Sequence, residues 1–190
     1  MTRILGIALA IALVACSPSA TRLSGTELDG KDAPDFTLTD GLTGDAVTLS
    51  SLRGNVVAMA FLYTRCPDVC PITAAKFRAA QQALGADASR VRFVAVSVDP
   101  DGDTPSEVRA FSAAHDLSSN WRYLIGARAQ LQAVWSAYGV GAFSSPTGRG
   151  VDHNDAIYVL DASGREREIV HSDIAVNDLV SDIRALLKQG

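Results

Sequence analysis

The chain has 190 residues, of which 47% are hydrophobic, and this is the size and composition of one globular domain with a sizeable core. Its formal net charge is −4 at pH 7, and a mildly acidic protein is poorly suited to the phosphate backbone of nucleic acids. Binding of nucleic acid is therefore excluded as the main function, and one domain is expected.

The amino terminus has the pattern of an export signal. Arg3 precedes an apolar run over 4–14, which is too short to span a bilayer. The run ends in the letters LVAC, which resemble the lipobox of bacterial lipoproteins, where the cysteine is acylated and becomes the new amino terminus. We therefore predict a signal peptide over 1–15 and a lipid anchor on Cys16. The alternative is a plain secretory signal with an incidental thiol at Cys16.

Lipidation of Cys16 would leave Cys66 and Cys70 as a pair in an oxidising compartment. Residues 16–31 are rich in Ser, Thr, Gly and Asp and predict a flexible tether between the lipid and the domain. The domain itself is predicted over 32–190.

The first half of the domain is predicted to contain a β-hairpin followed by a strand-helix-strand unit with parallel strands. Two short alternating segments between Phe36 and Leu49 flank a Gly-rich turn and predict a β-hairpin. The nearly continuous apolar runs over 56–63 and 91–98 are typical of strands buried on both faces. A helix predicted over 72–84 joins them, which makes the two strands parallel.

The second half of the domain contains helices and a terminal hairpin. Thr104, Pro105 and Glu107 form a capping pattern that opens a helix toward His115. The remaining predictions are an amphipathic helix that ends before Gly139, a loop over 139–150, a hairpin of strands over 156–160 and 166–170, and a helix over 178–188. The order of elements predicts an α/β fold around a central sheet.

The densest group of reactive residues is TRCPDVCP, which follows the first apolar run and ends at Pro71. Pro71 suits the first position of a helix, so Cys70 is predicted to be the N-cap, where its sulfur would meet free backbone amides. The positive helix end and the nearby Arg65 should lower the thiol pKa and favour the thiolate, which attacks disulfides and binds metal ions. We therefore expect both Cys66 and Cys70 to be reactive.

Several uses of this pair are open. A purely stabilising disulfide is disfavoured, because such a short loop restricts the unfolded chain little. The spacing is one residue longer than the C-x-x-C of dithiol oxidoreductases, so it permits a disulfide and leaves more room for an ion between the sulfurs. Soft thiolates select soft ions such as Cu(I), and an imidazole would complete a three-ligand site.

Three histidines are candidates for a third ligand. His115 lies near the end of the capped helix, where a cation meets the negative helix end, so a structural role is favoured. His171 follows the terminal hairpin and fits a solvated turn. His153, where a loop enters a strand, would by itself be interpreted as a surface residue.

Three motifs in order resemble the SCO/SenC family of copper proteins. They are FLYTRCPDVCP around Cys66, SVDPDGDTP around Asp99, and VDH ending at His153, and the resemblance runs from Lys31 to the end of the chain. It implies a thioredoxin-like fold with a central mixed sheet flanked by helices and an N-terminal β-hairpin extension. It also implies that Cys66, Cys70 and His153 bind copper, as Cu(I) or Cu(II).

The resemblance further implies a function. Such proteins help to assemble the CuA centre of cytochrome c oxidase, whose subunit II would be the copper-receiving partner. The expected location is the periplasmic side of the cell envelope. Many relatives are held by a transmembrane helix, whereas a lipid is expected here. Ser17 favours the outer membrane and an oxidase role favours the inner one, so the choice of membrane is left open.

Two residues bear on how the site would work. Parallel strands end at one edge of a sheet, which predicts that Asp99 lies near the cysteines in a supporting role, although an aspartate before proline is also an ordinary turn residue. The competing function is a thiol-disulfide oxidoreductase that reduces cysteines of a partner protein. His153 separates the two hypotheses, because a copper chaperone needs it as a ligand and a dithiol reductant does not.

Overall fold

A computed structural model describes residues 22–117, 119–141, 143–144, 151–152 and 154–189. In chain order, the strands and α-helices of these residues are β1 (Thr26–Glu27), β2 (Thr37–Asp40), β3 (Ala46–Thr48), β4 (Val56–Leu62), α1 (Val69–Leu84), β5 (Val91–Ser97), α2 (Pro105–Ala114), β6 (Trp121–Ile125), α3 (Arg128–Ala137), β7 (Phe143–Ser144), β8 (Val151–Asp152), β9 (Ile157–Leu160), β10 (Glu166–Val170) and α4 (Val176–Leu187). None of the helices in this part of the chain is long and apolar enough to cross a membrane.

Eight strands form one mixed sheet in the order β1-β10-β9-β4-β5-β6-β2-β3, and β7 pairs separately with β8. Strands β4, β5 and β6 are parallel, so their carboxyl ends share one edge of the sheet. Strand β9 runs antiparallel to β4, and its first residue, Ile157, pairs with Ala60. The chain that enters β9 therefore lies at the edge where β4 ends.

The helices pack on the sheet through aromatic side chains. Phe77 of α1 contacts Phe93 of β5, with ring centroids 5.0 Å apart, and also contacts Trp121 of β6. Helix α4 packs beside α1. Tyr138, at the end of α3, contacts Phe61 of β4. The buried strands β4 and β5 are thereby covered by side chains, as their apolar sequences predicted.

Most predicted elements are confirmed. The β2-β3 hairpin, the two buried strands, the terminal hairpin and the helices all form. The Oγ1 atom of Thr104 accepts a hydrogen bond from the backbone of Glu107 at 3.3 Å, as an N-cap should. Strand β6 was missed, because Arg122 interrupts its short apolar stretch. The structure shows why a charge is tolerated there: Nε of Arg122 lies 3.4 Å from the carboxylate of the buried Asp40.

The amino-terminal segment differs from the predicted tether where the structure describes it. Strand β1 pairs with β10, and Leu23 is buried. A Cβ on Gly25 would lie 2.4 Å from a side-chain carbon of Val170, so the two segments are in close contact. The packed domain therefore begins before residue 32.

Buried carboxylates hold this segment in place. The backbone N–H of Gly25 donates to Glu168 at 3.0 Å, and that of Ser24 donates to Asp182 at 3.1 Å. The other carboxylate oxygen of Glu168 is buried and has no partner among the described residues. Burial, together with the charges of Asp182 and Glu27, raises the pKa of Glu168 to about 7.

Glu168 should make the stability of the fold depend on pH. Its pKa is raised from the usual 4.5, so its contribution is fully present below that pH and is lost as the pH rises through about 7. In the parent protein, the free energy of unfolding should decline by about 2 to 3 kcal/mol as Glu168 ionises. We expect this decline to be absent in the Glu168→Gln variant, which cannot ionise. Denaturant titrations between pH 4 and 9 measure this. The exposed Glu107→Gln is the control, and an unchanged pH profile in Glu168→Gln would contradict the assignment.

Candidate metal centre

The two cysteines lie where β4 ends and α1 begins. The structure places Val69 as the first residue of α1 and Asp68 as the N-cap, so the prediction that Cys70 is the N-cap was wrong. Pro71 is the third residue of the helix instead of the first, and a missing N–H is tolerated there because it would have no partner within the helix. The backbone N–H of Cys70 points instead at the sulfur of Cys66, 3.5 Å away. It is Cys66 that meets the free amides of the helix start.

Both cysteines are free thiols in contact with each other. Cys66 retains 9% of its accessible surface and Cys70 none. The hydrogen bond from the Cys70 thiol, together with the amides of Asp68 and Cys70 and the Tyr63 side chain, lowers the pKa of Cys66 to about 5 despite burial. The same hydrogen bond, with burial, raises the pKa of Cys70. The first thiolate therefore forms on Cys66, while Cys70 keeps its proton.

This asymmetry corrects the expectation that both thiols favour the thiolate. Arg65 does not bring its charge to the sulfurs, because its guanidinium donates to Asp99 at 2.8 Å and is largely exposed. The stabilisation of the Cys66 thiolate comes from hydrogen bonds within the loop, which the sequence does not reveal. A slightly accessible cysteine with a low pKa beside a fully buried, protonated one is an arrangement that can attack a disulfide or take up a soft metal ion.

Asp99 lies at the predicted edge of the sheet. Its carboxylate accepts hydrogen bonds from the side chain of Arg65 and from the backbone of Gly102. Gly102 allows this close approach, because a Cβ there would lie 2.1 Å from both Arg65 and Asp99. Asp99 is thus connected to the cysteine loop through Arg65, and its supporting role at a copper site stays a prediction.

A second carboxylate, which the sequence analysis did not single out, lies deeper in the same loop. Asp103 is only 3% exposed. It accepts hydrogen bonds from the backbone and the hydroxyl of Thr64, both at 2.8 Å, from Ser97 at 2.6 Å and from Tyr123 at 3.0 Å. Its only signal in the sequence was its place in the SVDPDGDTP motif, where nothing distinguishes it from Asp99 or Asp101.

The predicted third ligand, His153, lies outside the described residues, as does Cys16. The other two histidines have partners of their own. His115 packs on Phe111, and burial lowers its pKa, which disfavours the cation expected at a helix end. A ring nitrogen of His171 lies 2.6 Å from the carbonyl oxygen of Asp155.

Within the described part of the chain, no group of three or more His, Cys, Asp or Glu side chains is arranged to hold a metal ion. A third ligand for a metal ion held by the two thiols would therefore have to come from outside these residues. The chain from Asn154 onward enters β9 beside the end of β4, because Ile157 pairs with Ala60. Asn154 is thus three residues before the strand residue that pairs at the edge carrying the cysteines.

The fold and the site define a thioredoxin-like domain that carries a reactive dithiol, and comparisons with known proteins agree. A family model described as SCO1/SenC matches residues 25–188. Bradyrhizobium japonicum ScoI, solved with copper bound, is 32% identical; the match covers 83% of this chain and 100% of that one, with a TM-score of 0.75. A SCO1/SenC family lipoprotein from Bacillus anthracis is 25% identical over 87% of this chain and 99% of its own, with a TM-score of 0.76.

A third solved structure is that of BsSco, described as a member of the Sco family of cytochrome c oxidase assembly proteins with a disulfide switch. It is 25% identical, with 87% of this chain and 98% of that chain covered and a TM-score of 0.73. The chain belongs to the SCO1/SenC family. The thioredoxin-like fold that the sequence motifs implied is confirmed.

The thiol asymmetry predicts selective chemistry. At pH 6 to 7 iodoacetamide should alkylate Cys66 much faster than Cys70, and thiolate absorbance near 240 nm should titrate with a pKa of about 5. Cys70→Ala removes the hydrogen bond that contributes most, so the pKa of Cys66 should rise by more than about one unit.

Cys70→Ser, which retains a hydroxyl donor, should keep the pKa of Cys66 closer to that of the parent protein. Equal alkylation of both cysteines, or a Cys66 pKa that is the same in Cys70→Ala and the parent protein, would contradict the assignment.

Proposed function

We propose that this protein is a copper metallochaperone that delivers copper to the CuA centre of cytochrome c oxidase, with subunit II as the receiving partner. The proposed ligands are the sulfurs of Cys66 and Cys70 and the imidazole of His153. Copper is the cargo in this function, so the residues need to bind and release it without any turnover chemistry.

The observation that carries the proposal is the pair of free thiols in contact at the edge where β4 ends. Two thiols suit Cu(I), because soft sulfur ligands select soft ions. Ligation requires the thiolates, so uptake of copper would displace the proton that Cys70 retains. The buried position of Cys70 would shield one ligand, while the accessible side of Cys66 would let a partner ligand approach.

His153 is supported as the third ligand by its position in the chain. It precedes Asn154, from which the chain enters β9 beside β4. It also occupies the place of the histidine in the VDH motif of the family. A third ligand would raise the affinity for copper. It would also allow the receiving protein to replace the ligands of the copper ion one at a time.

Copper as the cargo is supported by ScoI, whose structure contains copper. The oxidase as the destination is supported by BsSco, described as belonging to a family of cytochrome c oxidase assembly proteins. The oxidation state of the copper, Cu(I) or Cu(II), is left open, because sulfur ligands favour the former and imidazole suits both.

The proposed location is the periplasmic side of a membrane, with Cys16 as the acylated anchor. The export pattern of the first residues and the description of the Bacillus anthracis relative as a lipoprotein support this. Strand β1 is packed on the sheet, so the packed domain begins within about ten residues of Cys16 in the sequence.

A second candidate function is thiol-disulfide exchange. The asymmetry of the thiols favours it, because a thiolate on Cys66 is the attacking species and Cys70 is placed to resolve the mixed disulfide. A disulfide switch has been identified in BsSco. The two functions share one pair of cysteines, and oxidation of that pair would abolish copper binding.

An anaerobic Cu(I) competition titration of the reduced chain from Ser17 onward tests the proposal. This chain retains all of the described structure and lacks the reactive Cys16. We expect one copper ion per chain, and a loss of affinity of about 10-fold or more in His153→Ala, because one of three ligands is removed.

The matched control is His171→Ala, which removes an exposed imidazole elsewhere and should bind copper like the parent chain. Disulfide-oxidised protein should not compete for Cu(I). Weak binding by the parent chain, or equal affinity in His153→Ala, would defeat the three-ligand assignment and leave thiol-disulfide exchange as the better account.

A further inference from the structure

Asp103 is a buried carboxylate that the proposed copper chemistry does not use. All four of its described hydrogen bonds come from different donor groups of Thr64, Ser97 and Tyr123. A carboxylate is costly to bury, and full hydrogen bonding is what makes its burial tolerable. Asp103 lies two residues before α2 and links the loop after β4 to strands β5 and β6.

Two of the four hydrogen bonds of Asp103 come from the cysteine loop. Thr64 is the second residue before Cys66, and both its N–H and its hydroxyl donate to one oxygen of Asp103. The residue before it, Tyr63, accepts a hydrogen bond from the backbone N–H of Cys66 at 3.2 Å. The carboxylate therefore fixes the start of the turn that places the Cys66 sulfur.

The other oxygen of Asp103 anchors the carboxylate to the sheet. It accepts hydrogen bonds from Ser97, at the end of β5, and from Tyr123 in β6, and both donors are fully buried. The two loops are also joined by an ion pair between Arg65 and Asp99, in which the Arg65 side chain is 63% exposed. Exposed ion pairs of this kind contribute little to stability, so the hydrogen bonds of Asp103 are the stronger link between the two loops.

We propose that Asp103 is a positioning residue that holds Thr64 and thereby sets the geometry of the Cys66 and Cys70 sulfurs. Because it acts on the loop rather than on the ion, it should affect copper binding and disulfide formation alike. Its role in copper binding rests on the proposed function, whereas its role in holding the two sulfurs together does not.

The test measures two properties of the reduced chain from Ser17 onward. One is the affinity for Cu(I), and the other is the equilibrium constant for forming the Cys66–Cys70 disulfide in a glutathione buffer. Asp103→Asn preserves shape but removes the charge that strengthens all four hydrogen bonds. We expect it to lower copper affinity by about 10- to 100-fold, the range found for residues that orient metal ligands. It should also lower the disulfide equilibrium constant several-fold.

Thr64 supplies a conservative pair of variants. Thr64→Val removes the hydroxyl that donates a hydrogen bond to Asp103. It should lower both the copper affinity and the disulfide equilibrium constant, by a smaller factor than Asp103→Asn does. Thr64→Ser keeps the hydroxyl and should restore both. Asp101→Asn is the matched control, because it makes the same chemical change in the same loop at an exposed carboxylate that pairs with Arg128 on the surface.

Circular dichroism and thermal melting identify variants that do not fold. If Asp103→Asn does not fold, the comparison of Thr64→Val with Thr64→Ser decides the question. If the parent chain does not bind copper, the proposed function fails, and the disulfide equilibrium still tests Asp103. Folded Asp103→Asn or Thr64→Val proteins with both measurements equal to those of the parent chain would overturn the proposal.

Discussion

The parallel pairing of β4 with β5 is the constraint on which the rest of the site depends. The two strands pair residue for residue from Val56 opposite Val91 to Leu62 opposite Ser97. Because parallel strands end at the same edge, the loop that follows β4 and the loop that follows β5 must meet there. The first loop carries the cysteines and the second carries Asp99 and Asp103. The apolar sequences of both strands fix this register by burying every residue of β4 and nearly all of β5.

At this edge, the thiol proton of Cys70 donates a hydrogen bond to the thiolate of Cys66. Cys66 sits over the first turn of α1 and receives backbone and thiol hydrogen bonds, while Cys70 is buried beneath it and protonated. An accessible thiolate beside a protected thiol serves both metal capture and disulfide exchange. One pair of residues could therefore serve both proposed functions without any change in the fold.

Much of the fold was predictable because its signals are local. Runs of apolar residues gave β4 and β5, and the Thr104 cap gave the start of α2. Strand β6 was missed because Arg122 is compensated by Asp40, which is distant in sequence. Strand β1 was missed because its partner, β10, lies more than a hundred residues away. Interactions of this kind are set by tertiary packing and leave no local pattern.

The site was predictable to a similar degree. The reactive pair and the loops that meet beside it followed from the sequence, whereas the placement of the helix start and the difference between the thiols did not. Asp103 was overlooked in favour of Asp99, because which aspartate turns inward depends on donors contributed by Thr64, Ser97 and Tyr123. His153 was distinguished from the other histidines by the family motif and by its position where the chain enters the terminal hairpin.

X-ray absorption spectroscopy of the reduced, copper-loaded protein tests the central claim most directly, because it reports the atoms bound to the metal. The account predicts two sulfur ligands and one imidazole nitrogen per copper ion, with the imidazole signal lost in His153→Ala and retained in His171→Ala. Copper bound by sulfur alone, or an imidazole signal that survives in His153→Ala, would contradict it.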